Sequence, residues 1–192
     1  MTRWEPGARE RLQAAALDLF ARNGFEQTTT AEIARSVGLT ERTFFRHFSD
    51  KREVLFYGQQ ELVRVFLEGI QTAPTGLSPL EVVAAAVRSA AAFFPDERRA
   101  YSRTRRTVID QNPALQEREL HKMGALGEAV GEALRGRGVT DPAATLAAES
   151  GITVFGVAFA QWIGDGEQRT FADIAADVFH ELVSLTGTAT AL

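Results

Sequence analysis

Two short amphipathic segments that almost touch constrain this chain more than anything else in it. Thr28, Thr29 and Thr30 open the first, Ile33, Ala34 and Val37 form its apolar side, and Gly38 closes it. Thr29 and Glu32 have the spacing of a capping box, in which each side chain satisfies an orphan amide of the other residue. Thr40 opens the second segment as its N-cap, with Phe44 and Phe48 on the inner side. Only Gly38 and Leu39 separate the two, so they cannot run on as one rod and must cross steeply, which is helix-turn-helix geometry. A preceding helix over 7–23 carries the stripe Leu12, Ala15, Ala16, Leu19 and Phe20, with Gly24 in its stop position. Ala34 permits close approach, and Ile33, Val37, Leu39, Phe44 and Phe48 fill the wedge against that first helix.

Apolar residues recur with the helical period along the rest of the chain and the period-two alternation of strands does not, predicting an all-α protein of about nine helices. Asp50 and Glu53 predict a fourth helix over 50–71. Others follow over 79–94, 96–111 and 113–135, the last capped by Asn112. A helix over 141–164 starts with Asp141 and Pro142 in N-cap and first-turn positions, and a final one spans 171–186. The organisation expected is a three-helix N-terminal domain, 1–50, and a larger helical domain, 51–192.

Apolar stripes and caps would serve a purely structural bundle or a helical adaptor equally well. The outer face of the third helix separates the readings. Thr40, Arg42, Thr43, Arg46 and His47 lie off its apolar stripe, offering short hydroxyls and long cationic donors beside a single carboxylate, Glu41. Such a helix can enter a major groove, donate to guanine edges, touch thymine methyls and bond phosphate. The charge distribution agrees in sign: residues 1–52 carry nine Lys or Arg against seven Asp or Glu, whereas 53–192 carry twelve against eighteen, within a net charge of −4. That asymmetry places the anion-seeking surface at the N-terminal end.

The stretch 20–55, FARNGFEQTTTAEIARSVGLTERTFFRHFSDKREVL, resembles the DNA-binding domain of the TetR family of regulators. Gly24 with Phe25, the threonine cluster, Ile33 with Ala34, Gly38, Thr43, Phe48 and Lys51 carry the likeness in order. It implies phosphate contacts for Thr28, Thr29 and Lys51, with the third helix in the major groove of a double-stranded operator. Where the family usually has a phosphate-bonding tyrosine this chain has Phe45, which can pack against DNA but offers no hydroxyl. The resemblance also implies repression and a homodimer, and a palindrome read by two modules a helical turn apart supplies the specificity one module lacks.

The segment 141–164 is apolar nearly all round, so it needs burial on two sides. Its small residues Gly151, Gly156, Ala158 and Ala160 predict a close crossing, with one side meeting a partner subunit and the final helix joining it in a four-helix interface. The effector pocket is expected among Phe66, Phe93, Phe94, Tyr101, Arg103, Met123, Phe155, Phe159 and Trp162, with Ile70, Ile109 and Leu120 as further candidates. An adaptable aromatic cavity suits an apolar molecule. Arg98, Arg99, Arg103, Arg105 and Arg106 make the most cationic run. They read either as a solvated face paired with Asp96, Glu97 and Asp110, or as an attractor for an anionic effector such as an acyl-coenzyme A.

Other classes are disfavoured. His47, His121 and His180 fall on separate predicted helices without metal-ligand spacing, there is no cysteine, and no glycine-rich phosphate loop follows a strand. No catalytic site, metal or cofactor is therefore expected. Without cysteine nothing points to an oxidising compartment. The first seven residues do not read as a secretory leader. The apolar stretch 143–163 has Glu149 as its only charge but is built largely of small residues, a poor membrane span. A cytoplasmic location follows.

Overall fold

The structure, a computed structural model, describes residues 7–187. Residues 1–6, part of the stretch read above for a leader, lie outside the described residues. Nine α-helices and no strand occur among those described: α1 (Ala8–Asn23), α2 (Thr30–Ser36), α3 (Glu41–His47), α4 (Gln59–Thr72), α5 (Pro79–Ala91), α6 (Arg99–Asp110), α7 (Pro113–Gly136), α8 (Ala143–Trp162) and α9 (Phe171–Gly187). The all-α expectation holds. The chain forms two compact units. The first contains the described residues through Gly58 together with Thr104–Glu119, and the second contains Gln59–Arg103 and the described residues from Leu120 onward.

In the first unit, Leu12, Ala16, Leu17 and Phe20 of α1 are buried with Ile33 and Ala34 of α2, Phe44 of α3, and Phe48. Leu17, absent from the expected stripe, is buried, while Ala15 and Leu19 are half-exposed. The α2–α3 break has the hydrogen bonds that allow one glycine to reverse the chain. Gly38 N–H donates to the Arg35 carbonyl at 3.0 Å and Leu39 N–H to the Ala34 carbonyl at 2.9 Å, with Gly38 at φ +72°.

One expected helix is two. The Asp50 carboxylate does accept from the Arg52 and Glu53 amides, at 2.7 and 3.1 Å, but it starts a 3-10 turn, Arg52–Phe56. Val54, Leu55 and Phe56 are all buried, and three consecutive inward side chains do not fit one face of an α-helix. After Gly58, at φ +98°, the chain restarts as α4.

The Thr104–Glu119 stretch is tied to that turn. Arg105 donates from Nε to the Leu55 carbonyl at 2.9 Å, pairs bidentately with Glu119 at 2.7 and 3.3 Å, and lies over the Phe56 ring. Arg118 pairs with Glu53 at 2.7 Å. Ile109, expected near the effector, is instead part of this first unit and buried, because it shares a face of α6 with Arg105 and Val108.

The second unit packs α5 against α4, α8 and α9. Gly151 of α8 is where α5 comes closest: a Cβ there would lie 2.0 Å from a Val83 methyl. The close crossing expected of the small residues of α8 is thus made inside the chain at Gly151, which is buried with Ala158, while Gly156 and Ala160 are exposed. α8 is long and apolar enough to cross a bilayer by length and composition, yet Val154, Phe155, Ala158 and Trp162 belong to the core of this unit. Asn112 does not cap α7 with its side chain; its Nδ2 turns back to the Val108 carbonyl of α6 at 2.6 Å.

Candidate nucleic-acid interface

Caps at both ends of the turn determine what α3 presents. The Thr29 hydroxyl oxygen accepts from the Glu32 amide at 3.2 Å, and Glu32 accepts from the Thr29 amide at 2.8 Å. Those bonds hold the Glu32 carboxyl below its usual range. The Thr40 hydroxyl oxygen accepts from the Thr43 amide at 3.2 Å and lies 3.0 Å from the Thr43 hydroxyl. With Phe44 fully buried, the opposite face of α3 must point to solvent, and Glu41, Arg42, Phe45 and Arg46 are exposed there. Arg42 and Arg46 have no hydrogen-bond or ionic partner among the described residues. Glu41, the one carboxylate, is held by the Thr30 hydroxyl at 2.5 Å. The face offers two uncommitted guanidiniums, an exposed phenyl ring and threonine hydroxyls, a set suited to base edges and phosphates.

His47 ends the helix half-buried, its Nδ1 accepting from Arg9 Nε at 3.4 Å. Burial, with Arg46 and Arg9 nearby, pushes its pKa below the ordinary 6.5, so the ring is neutral at neutral pH, and its Nε2 is buried with no hydrogen-bond partner among the described residues, which takes His47 off the outward face where it was expected.

Two residues expected at phosphate are engaged inside the fold. Thr28 is 1% exposed, and its hydroxyl donates to the Gly24 carbonyl at 2.8 Å. It shapes the α1–α2 loop and does not line the outward face. Lys51 Nζ donates to the Phe25 and Thr28 carbonyls at 2.7 and 3.0 Å and sits 4.2 Å from the Phe25 ring centroid. Lys51 remains half-exposed, and Thr29 and Thr40 are exposed. Sequence spacing had no way to reveal that this ammonium caps a loop 23 to 26 residues earlier.

The expected effector residues assemble in the second unit. Phe66, Phe155 and Trp162 are buried there, with Phe93, Phe94, Met123 and Phe159 packed against them. Phe94 is the hub, its ring centroid 5.1–5.7 Å from those of Phe155, Phe159, Trp162 and Phe171. Phe171 was missed in the sequence because its partners lie on other helices. Tyr101 is half-buried, and Leu120 is 74% exposed and so does not line the cluster. Arg103 Nε donates to the Ile163 carbonyl at 2.5 Å and Nη2 to that of Gly164, at the C-terminal end of α8. Arg99, its side chain 11% exposed, bonds the Arg169 and Glu167 carbonyls and Asp96, with its guanidinium over Trp162. The arginine run is not a free anion receptor: Arg99 with Asp96 and Arg106 with Asp110 form two of the expected pairs, the latter at 2.8 Å, while Arg103 and Arg105 are drawn onto carbonyls elsewhere in the chain.

Residues 12–57 match the family model for bacterial regulatory proteins of the tetR family, and residues 77–186, more than half the chain, match that of the MftR C-terminal domain. The chain belongs to the TetR family. This TetR-family regulator is 38% identical over 81 residues to the HTH-type transcriptional regulator TcmR of Streptomyces glaucescens, which is 42% of this chain and 36% of that protein. It is 37% identical over 54 residues to the nucleoid occlusion factor SlmA of Marinobacter nauticus, 28% of each chain. The match thus spans about a third of the curated relatives. Among solved structures, FadR of Thermus thermophilus, a TetR-family repressor in complex with lauroyl-CoA, is 25% identical with a TM-score of 0.55, covering 96% of both chains. A transcriptional regulator from Pseudomonas aeruginosa PAO1 has a TM-score of 0.67 at 19% identity, covering 98% of this chain and 95% of its own, and shows the shared fold. The TetR-family chain carries an N-terminal helix-turn-helix and a C-terminal helical domain.

Proposed function

We propose that this regulator is a homodimeric repressor that holds a palindromic operator through two copies of α3 and is released by a small apolar or acyl-CoA-like molecule. Residues 1–50 supply the reading surface, and residues 51–192 supply the effector site and dimer contact. The observation that carries the reading is the pair Arg42 and Arg46, exposed and without ionic partners among the described residues, on a helix whose other face is locked into its own core. Thr29, Thr40 and Thr43 add phosphate contacts around them.

Dimerisation through α8 and α9 is supported by Leu146, Val157, Val183 and Leu185, large apolar side chains left exposed on these two helices. A groove of about 340 Å³ between the helices, lined by Val154, Val157, Val178, Leu182 and Leu185, offers the seat for a partner. The aromatic cluster around Phe94 is the effector site. Its apolar character, with the kinship to a repressor that binds lauroyl-CoA, favours an acyl chain over a polar metabolite. The effector acts by binding better to the arrangement that cannot span two grooves, and inverting a 99:1 population takes about 10⁴-fold differential affinity. The protein works by binding rather than catalysis, in the cytoplasm.

The test is a fluorescence anisotropy titration with the promoter duplex beside its own gene, run with and without lauroyl-CoA. Salt-dependent binding by a dimer that Arg42→Ala and Arg46→Ala each weaken supports the assignment. Full affinity in both variants removes α3 as the reading element, and unchanged binding in every acyl-CoA tried removes the effector class.

A further inference from the structure

The outward face of α3 carries one side chain that phosphate binding and guanine recognition leave unexplained. Phe45 is 51% exposed, the only aromatic among the large apolar side chains left exposed in the described residues. Every other phenylalanine of the chain is buried or half-buried. Its ring stands edge-on to Phe44, with centroids 5.5 Å apart and planes at 83°. Phe44 is fully buried, so the ring is held in place without being covered. Arg42 lies one turn before it and Arg46 directly after it, both exposed and uncommitted, while Glu41 on the same face is held by Thr30.

A phenyl group has no donor for phosphate and no hydrogen bond for a base edge. Among the bases only thymine presents an apolar group, its C5-methyl, to the major groove. We infer that Phe45 is a specificity-determining residue that packs against a thymine methyl, so that one position of each operator half-site is read by an apolar contact between two cationic ones. This rests on the reading of DNA by α3. It predicts a thymine requirement that hydrogen-bond chemistry on this helix does not supply.

The experiment first lets the protein select its preferred duplex from a random-sequence DNA library. Each thymine of the selected site is then replaced in turn by deoxyuridine, which removes only the methyl. Loss of one buried methyl should weaken binding by about fourfold at a single thymine per half-site. Phe45→Ala should bind the unmodified site about as weakly as the wild type binds the substituted one, and should no longer distinguish the two. Because the ring is exposed, that variant should melt with the wild type, and the deoxyuridine arm on the wild-type protein stands even if it does not. Selection of a site with no deoxyuridine sensitivity, or sensitivity that survives in Phe45→Ala, overturns the thymine contact while leaving α3 as a reader. Uniform loss across all sequences in Phe45→Ala likewise overturns it, assigning the ring to the sugar-phosphate backbone. Failure to select any sequence overturns DNA reading itself, and the inference with it.

Discussion

Arginines on α3 and on α6 have the same chemistry and opposite fates. On α3, Arg42 and Arg46 stand in solvent with nothing to neutralise them among the described residues. On α6, Arg99 and Arg103 are drawn onto the backbone carbonyls at the end of α8 and the loop after it, and Arg105 onto Leu55 and Glu119. By charge density along the sequence α6 is the stronger anion site. By availability it is α3, because a guanidinium whose fork is already filled by carbonyls has no donors left in the geometry that grips a phosphate or a carboxylate. Cation density is therefore a poor guide to binding unless the partners of each cation are known.

The largest effect expected from this contrast is on DNA. Arg46→Ala should cost about 1–3 kcal/mol of operator affinity if it reads a base, roughly tenfold or more, with an unchanged melting curve. Anisotropy beside a thermal melt measures both, and a large fall in melting temperature would place Arg46 with the structural arginines. Arg103→Ala should behave oppositely. Two charge-assisted bonds to half-buried carbonyls are lost, so unfolding free energy should drop by about 1.5–3 kcal/mol while the salt slope of DNA binding stays put. A lowered slope at full stability would show that Arg103 faces the nucleic acid after all.

Gly151→Ala probes the crossing of α8 with α5. Its new methyl has nowhere to go beside Val83, and overpacking of this kind costs about 1–3 kcal/mol, readable by urea titration, whereas Gly156→Ala should be near neutral. The smallest effect is on pH. His47 has a depressed folded-state pKa, so its neutral form is the one the fold prefers and the unfolded chain binds the proton more readily. Stability should be flat above the ordinary value of 6.5 and decline as pH falls through and below it. In His47→Gln that part of the decline should disappear, and identical pH profiles in the two proteins would mean the imidazole titrates freely.

Much of the reading head was legible because its signals are local. The Thr29–Glu32 box, the Gly38 reversal and the Thr40 cap each involve residues within five positions of one another, and all three formed where spacing placed them. The split between Phe56 and α4 was not legible, since a capping box announces that a turn starts and says nothing of how long it lasts. The resemblance implied phosphate contacts for Thr28 and Lys51, and local sequence had no means to correct it, because their partners are carbonyls whose availability depends on where the loop after α1 travels. The aromatic cluster was found in part because its members are large and apolar, and Phe171 was missed because it joins them only through helix packing.

Periodicity, caps and one glycine between two short helices determined by themselves that this chain is all helical and carries a helix-turn-helix, because those interactions close within a turn or two of backbone. Only the tertiary structure decided which charges are free and which small residues face inward. Those outcomes depend on groups brought together from distant parts of the chain, and a side chain's type says what it can bond but not whether a partner has already reached it.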